Sequence, residues 1–136
     1  MNNLNYIIPF IAIFLTAFSC KAQIVLVDQK QSDYRIILPV NPQPDEEKAA
    51  AELQNYLEEI SGIAIPIIKD DREPADHEIV IGNSTRLEQF KVKTGFKEYE
   101  DDGFLIITKK EKLFISGGSP AGTLNGVYTF LEEYLG

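Results

Sequence analysis

The sequence predicts an α/β (α+β) domain built as a two-layer sandwich, a mixed β-sheet with two main helices packed on one of its faces. Three observations carry that expectation. An amphipathic helical stretch, EEKAAAELQNYLEEIS, lies between apolar runs of strand length, and strand, helix, strand in that order asks for a crossover connection. Two further apolar runs flank the charged stretch KKEK, which reads as a β-hairpin. A second helical stretch, LNGVYTFLEEYLG, follows the glycine-rich loop GGSPAGT and can lie on the sheet beside the first. A chain of 136 residues with 44% hydrophobic content can fill one core but not two.

In chain order, Ile24 to Val27 and Tyr34 to Leu38 are rich in β-branched residues and are separated by the polar DQKQSD, which predicts two strands and a turn. Pro39, Pro42 and Pro44 then stop the strand. Asp45 is a suitable N-cap, with Glu46 and Glu47 in the first turn where the helix dipole favours negative charge. Ala49, Ala50, Leu53, Leu57 and Ile60 recur at helical spacing on one face, and Gly62 stands where a left-handed C-cap is wanted. Ile63 to Ile68 contains Pro66, so that strand belongs at an edge or a bulge. Glu78 to Ile81 is a buried strand closed by Gly82, after which Asn83 or Ser84 caps a short helical turn, STRLEQF. Lys91 to Asp102 is charged and aperiodic, hence a loop, and Gly103 to Thr108 with Lys112 to Ser116 form the hairpin.

The loop from Gly117 to Thr123 has the glycine spacing of a phosphate-binding P-loop but no lysine before Thr123. Ser119 followed by Pro120 is instead the expected N-cap and N1 pair of a helix, and proline removes a donor that an anion site would use. Gly122 and Gly126 lie one turn apart, each costing about 1 kcal/mol relative to alanine. Close approach of the helix backbone to the sheet offsets that cost, with Leu124, Val127, Tyr128, Leu131 and Leu135 filling the adjoining face. The loop is therefore read as a joint.

Thirteen basic against 21 acidic residues leave a net charge of −8, which repels nucleic acid and anionic membrane surfaces and is indifferent to neutral sugars. Tyr6 to Phe18 is an almost unbroken apolar run, shorter than a membrane span and interrupted by Pro9, so residues 1–22 read as a signal peptide and residues 23–136 as the mature domain. Cys20, the only cysteine, directly follows that run and Ser19, where a bacterial lipoprotein signal places the residue that is lipidated. The expected location is an outer-membrane or cell-surface lipoprotein, or the periplasm, with membrane contact only through that N-terminal lipid. The competing reading is ordinary cleavage after Ala22 with Cys20 discarded.

No catalytic constellation emerges. The adjacent acids Glu46-Glu47, Glu58-Glu59, Asp70-Asp71, Asp101-Asp102 and Glu132-Glu133 read as solvated faces, since a glycosidase pair must oppose each other across a sugar, about 5–10 Å apart. His77 is the only histidine and is expected on the surface before the EIVI strand, so neither a His-rich metal site nor a Ser-His-Asp triad can be assembled. Asp70, Asp71 and Asp76 lack the glycine-containing spacing of a calcium loop. No metal and no cofactor are expected. Phe96 and Tyr99 in the charged loop are the candidates for a sugar contact or a contact with a neighbouring domain.

AAAELQNYLEEISGIAIPI, EIVIGNS and DDGFLIITKKEKLFISGGSPAGTLNGVYTFLEEYLG together resemble the N-terminal domain of bacterial α-glucuronidase-type (family 67-like) glycoside hydrolases. They are similar also to the equivalent domain of β-hexosaminidases and to related uncharacterised secreted proteins. The resemblance runs from Val25 to Gly136, and GT-x-x-GVY-x-FLEEYLG is its most specific part. It implies an accessory domain that precedes a catalytic (β/α)8 barrel, supplied in cis or as a downstream chain, with the catalytic carboxylates on that barrel. The expected role is non-catalytic, in glycan degradation, on a chain cut short of its barrel. The alternative is a stand-alone surface-anchored carbohydrate-binding module.

Overall fold

The computed structural model describes residues 23–96 and 103–136. Five strands, β1 (Arg35–Leu38), β2 (Ile67–Lys69), β3 (Glu78–Ile81), β4 (Phe104–Lys109) and β5 (Lys112–Gly117), form one sheet in the order β2-β1-β3-β5-β4. The β1–β2, β1–β3 and β3–β5 pairs are parallel and the β4–β5 hairpin is antiparallel, so the sheet is mixed as expected. Helix α1 (Pro44–Ser61) and helix α3 (Pro120–Phe130) cover one face, and a single turn, α2 (Arg86–Gln89), lies on the other.

Alternation along each strand sorts the core between the two faces. Ile36, Leu38, Ile79, Ile81, Leu113 and Ile115 meet α1 and α3, while Ile37, Val80 and Phe114 meet Leu87 of α2 and Phe90. Ala49 and Ala50 are fully buried and keep α1 close to the sheet, with Leu53 and Leu57 below them. On α3 the glycine argument holds at Gly126, where a Cβ would sit 3.0 Å from Ile115 Cγ2 and 3.2 Å from Phe104. The helix tightens onto the sheet there, and its last turn, Leu131–Leu135, is π-helical.

Several boundaries depart from the sequence expectation. Ile24 to Val27 is not a strand: Leu26 gives its carbonyl to Ser32 Oγ at 2.6 Å rather than to a ladder, and Ile24, Leu26 and Val27 pack against the core as an irregular strap. The reversal after it is real, closed by paired Asp28–Gln31 bonds around Gln29 and Lys30, both at positive φ. Helix α1 starts two residues earlier than an Asp45 N-cap requires, because Pro44 with its fixed φ takes the first helical position and Gln43 becomes the cap. The strand expected over Ile63 to Ile68 shrinks to Ile67–Lys69. Pro66 contributes only its carbonyl, which accepts from the Ile36 N–H at 2.8 Å, and Ile65 leaves the ladder to fill the core. Ile60 and Tyr128, expected on buried faces, are 54% and 36% exposed, because each lies on the rim of its helix stripe.

Candidate functional site

The two ends of the parallel strands are built differently. At their amino ends, Glu78 at the start of β3 is fully buried among three cations. Its Oε1 accepts from Arg35 Nη2 at 2.8 Å and from the Ala75 N–H at 3.0 Å, and its Oε2 accepts from Arg86 Nε at 3.2 Å, with Lys112 Nζ 3.9 Å away. Burial opposes ionisation of Glu78, but the Ala75 N–H, Arg35, Arg86 and Lys112 outweigh it and hold the carboxyl below the usual range. The same burial pulls the Lys112 ammonium down, against the opposing pull of Glu78 and Asp76. Lys112 also donates to the carbonyls of Ala75 and Asp76 and sits 4.8 Å over the Phe90 ring. Every member is engaged, so this cluster staples the strands to the Glu73–His77 loop and leaves no group for a ligand.

His77, expected on the surface, is half-buried: its Nε2 lies 2.5 Å from Glu111 Oε2, and its ring meets Tyr34 edge-on. Asp70, expected solvated, is buried at the end of β2 and accepts from the Val40 N–H, the Ser84 hydroxyl and both the N–H and the hydroxyl of Thr85. Burial would raise its carboxyl, yet these donors win and lower it. A carboxylate so occupied fastens the β3–α2 turn to the sheet. Among the described residues no group of three or more His, Cys, Asp or Glu could hold a metal ion.

At the carboxyl ends the loops diverge. Strand β1 leads to α1 on one face, β3 leads to α2 on the opposite face, and β5 leads back to α3 on the first. The chain thus leaves neighbouring strands in opposite directions, which opens a crevice at the point where α/β sheets bind ligands. A cavity of about 310 Å³ lies there, walled by Asn41 and Gln43 after β1, Asn83 after β3, the Gly117–Pro120 loop after β5, and Phe96.

The glycine loop forms one wall as a joint. Ser119 Oγ caps α3 by accepting from the Gly122 N–H at 3.0 Å, and Thr123 N–H donates to the Ser119 carbonyl at 3.1 Å. The Gly117 N–H goes to Thr123 Oγ1 at 2.9 Å and the Gly118 N–H to the Gly103 carbonyl at 2.9 Å. With four amides engaged and Pro120 lacking one, the loop cannot wrap a phosphate. The floor is Glu46, which contradicts its reading as solvated. It is 5% exposed, its Oε1 accepts from the Asn83 N–H at 2.9 Å, and its Oε2 accepts from the Gln43 N–H at 2.8 Å. Gly82, at φ 76, exists for this contact, since a Cβ there would fall 2.2 Å from Glu46 Oε1. Glu46 ties two walls together and is the acidic residue among the described residues of the crevice lining.

The family description "Glycosyl hydrolase family 67 N-terminus" matches residues 22–130. The chain belongs to that family. Among solved structures, the family 67 N-terminal domain superposes on part of a family GH115 4-O-methyl-α-glucuronidase with specificity for decorated arabinogalactans, at a TM-score of 0.58 and 17% identity. The match covers 75% of this chain and 14% of that enzyme, and it is a likeness of fold. Comparison with curated protein sequences finds no match.

Of the residues singled out from the sequence of this family 67 domain, Phe96 lines the crevice, while Tyr99 and Cys20 lie outside the described residues. Asn41 and Asn83 were not anticipated. Each sits in the loop after a parallel strand, and that position was the signal available. A larger groove of about 840 Å³ runs between the strap at Ile24–Val27, the end of α1 and the last turn at Phe130–Leu135. Tyr134, 64% exposed, stands on its rim. No helix among the described residues is long and apolar enough to cross a membrane.

Proposed function

We propose that this chain is the non-catalytic accessory domain of an exported, α-glucuronidase-like carbohydrate-active hydrolase, and that it works beside a catalytic (β/α)8 barrel in glycan degradation. The observation that carries the reading is Glu46. Among the described residues, the carboxylate at the place where this sheet would bind a ligand gives both oxygens to backbone donors, which suits a structural tie rather than an acid or a nucleophile. Family membership supports the same role.

The purified domain is expected to show no turnover of aryl glucuronides, aryl hexosaminides or uronic-acid-bearing xylo-oligosaccharides above a protein-free control. A rate that disappears on substituting a single Asp or Glu of this chain would overturn the reading. Gene sequence continuing past codon 136 into a barrel with acidic strand ends supports the accessory role, whereas unrelated sequence there favours a stand-alone binding module.

Export rests on the apolar run Tyr6 to Phe18 and on Cys20 just after it. Cells expressing the full chain with radiolabelled palmitate should incorporate label into the wild type and none into Cys20→Ala. Label that survives the substitution removes Cys20 as the acylation site.

A further inference from the structure

We propose that the crevice at the carboxyl ends of β1, β3 and β5 is a subsite for one neutral sugar ring. This rests on the accessory-domain reading and adds to it the class of ligand held. At about 310 Å³ the cavity stands at the small end of the roughly 300–1,000 Å³ range of ligand clefts, which suits a ring rather than an oligosaccharide. Its polar groups are of the kind that neutral polyols select. Asn41 and Asn83 reach it from opposite loops, both are exposed, and their side-chain amides take no hydrogen bond from the described residues. A primary amide offers both donor and acceptor, the complement of vicinal hydroxyls, and two such groups facing one cavity can hold one ring at two points. Partly buried Phe96 supplies an apolar wall for the C–H face of the ring.

The charge pattern excludes other small ligands. Among the described residues no lysine or arginine lines the cavity, four of the six glycine-loop amides are already engaged, and Glu46 beneath adds negative charge. With a net charge of −8 on the whole chain, a phosphate or a uronate meets an unfavourable field and no counter-charge among the described lining residues. The subsite therefore takes the uncharged part of a glycan.

The test is an NMR titration of the domain with methyl β-D-xylopyranoside and methyl β-D-galactopyranoside as neutral probes, and with glucuronate and inorganic phosphate as anionic ones. At least one neutral glycoside should move the Asn83 and Gly118 amide signals with a dissociation constant of about 10 mM or tighter. Asn41→Ala and Asn83→Ala should each weaken that binding about fivefold or more, with melting temperature unchanged because both side chains are exposed. Three results would overturn the subsite: no shift at about 50 mM of either neutral probe, binding indifferent to both substitutions, or anions bound as tightly as neutral glycosides. An empty titration without turnover removes the subsite and leaves the accessory role intact. Turnover abolished by an acidic substitution removes the accessory role itself.

Discussion

Glu78→Gln should lower the unfolding free energy by about 3–5 kcal/mol, because it strands buried cations rather than deleting one surface contact. Arg86 and Lys112 are 3% and 5% exposed, and both lose the anion they were buried against, as does the half-buried Arg35. For a domain whose total stability lies in the ordinary range of about 5–15 kcal/mol, that is a large share. Urea denaturation of the two proteins measures it. Adding Lys112→Met to the glutamine variant should restore part of the loss, since one stranded charge is then replaced by an apolar side chain. A loss below about 1 kcal/mol for Glu78→Gln would mean that the cluster is solvated and contributes little. The pH dependence follows from the same carboxylates. Glu78 and Asp70 have folded-state pKa values below their unfolded values, so the stability they contribute is fully present above the unfolded values, about 4 for both. It is lost as pH falls through the folded values. The wild type should weaken steeply below about pH 4, and Glu78→Gln should show a shallower acid limb.

Gly117→Ala is expected to cost more than about 3 kcal/mol, and more than alanine at Gly82 or Gly62. The ordering comes from what the new methyl group meets. At Gly117 a Cβ falls 2.2 Å from the Thr123 N, 2.4 Å from the Gly122 carbonyl carbon and 2.7 Å from the Ser119 carbonyl oxygen, all backbone of the loop that seats α3. Relief requires opening the joint, which breaks the Gly117–Thr123 bond and disturbs the Ser119 cap, itself worth about 1 kcal/mol. At Gly82 the methyl group meets the Glu46 side chain, whose displacement breaks its bonds to the Gln43 and Asn83 N–H groups but opens no backbone joint, and the φ of 76 adds about 1–2 kcal/mol. At Gly62 nothing lies within 4 Å, and only that left-handed backbone penalty remains. Urea midpoints of the three variants test the series. Gly117→Ala no less stable than Gly62→Ala would show that the loop tolerates opening and is not the joint described.

Features that depend on near neighbours along the chain are legible in the sequence. The span of α1 follows from apolar spacing and a glycine stop, the β4–β5 hairpin from two apolar runs about KKEK, and the Ser119–Pro120 start of α3 from capping chemistry. Elements whose boundaries depend on a partner strand are less legible. The run Ile24 to Val27 has strand composition but finds no ladder, and Pro66 holds the edge by its carbonyl alone. Of the candidate site, Phe96 stands out as an aromatic in a polar loop. Asn41 and Asn83 do not, since a lone asparagine after a strand resembles any turn residue.

The sequence by itself determined that this is a mixed α/β domain and that its glycine loop seats a helix. Those properties lie in residue type, period and caps, which act over a few residues. Only the tertiary structure decided which acids are buried and what surrounds them. Glu46 with Asn83, Asp70 with Ser84 and Thr85, and Glu78 with Arg35 are joined across long stretches of chain. It also decided that α2 takes the face opposite α1 and α3, and this parts the loops after β1, β3 and β5 and opens the crevice. The physical reason is that an acidic residue's solvation, and the side of a sheet to which a connection crosses, are set by the strand order β2-β1-β3-β5-β4. Local composition does not encode that order.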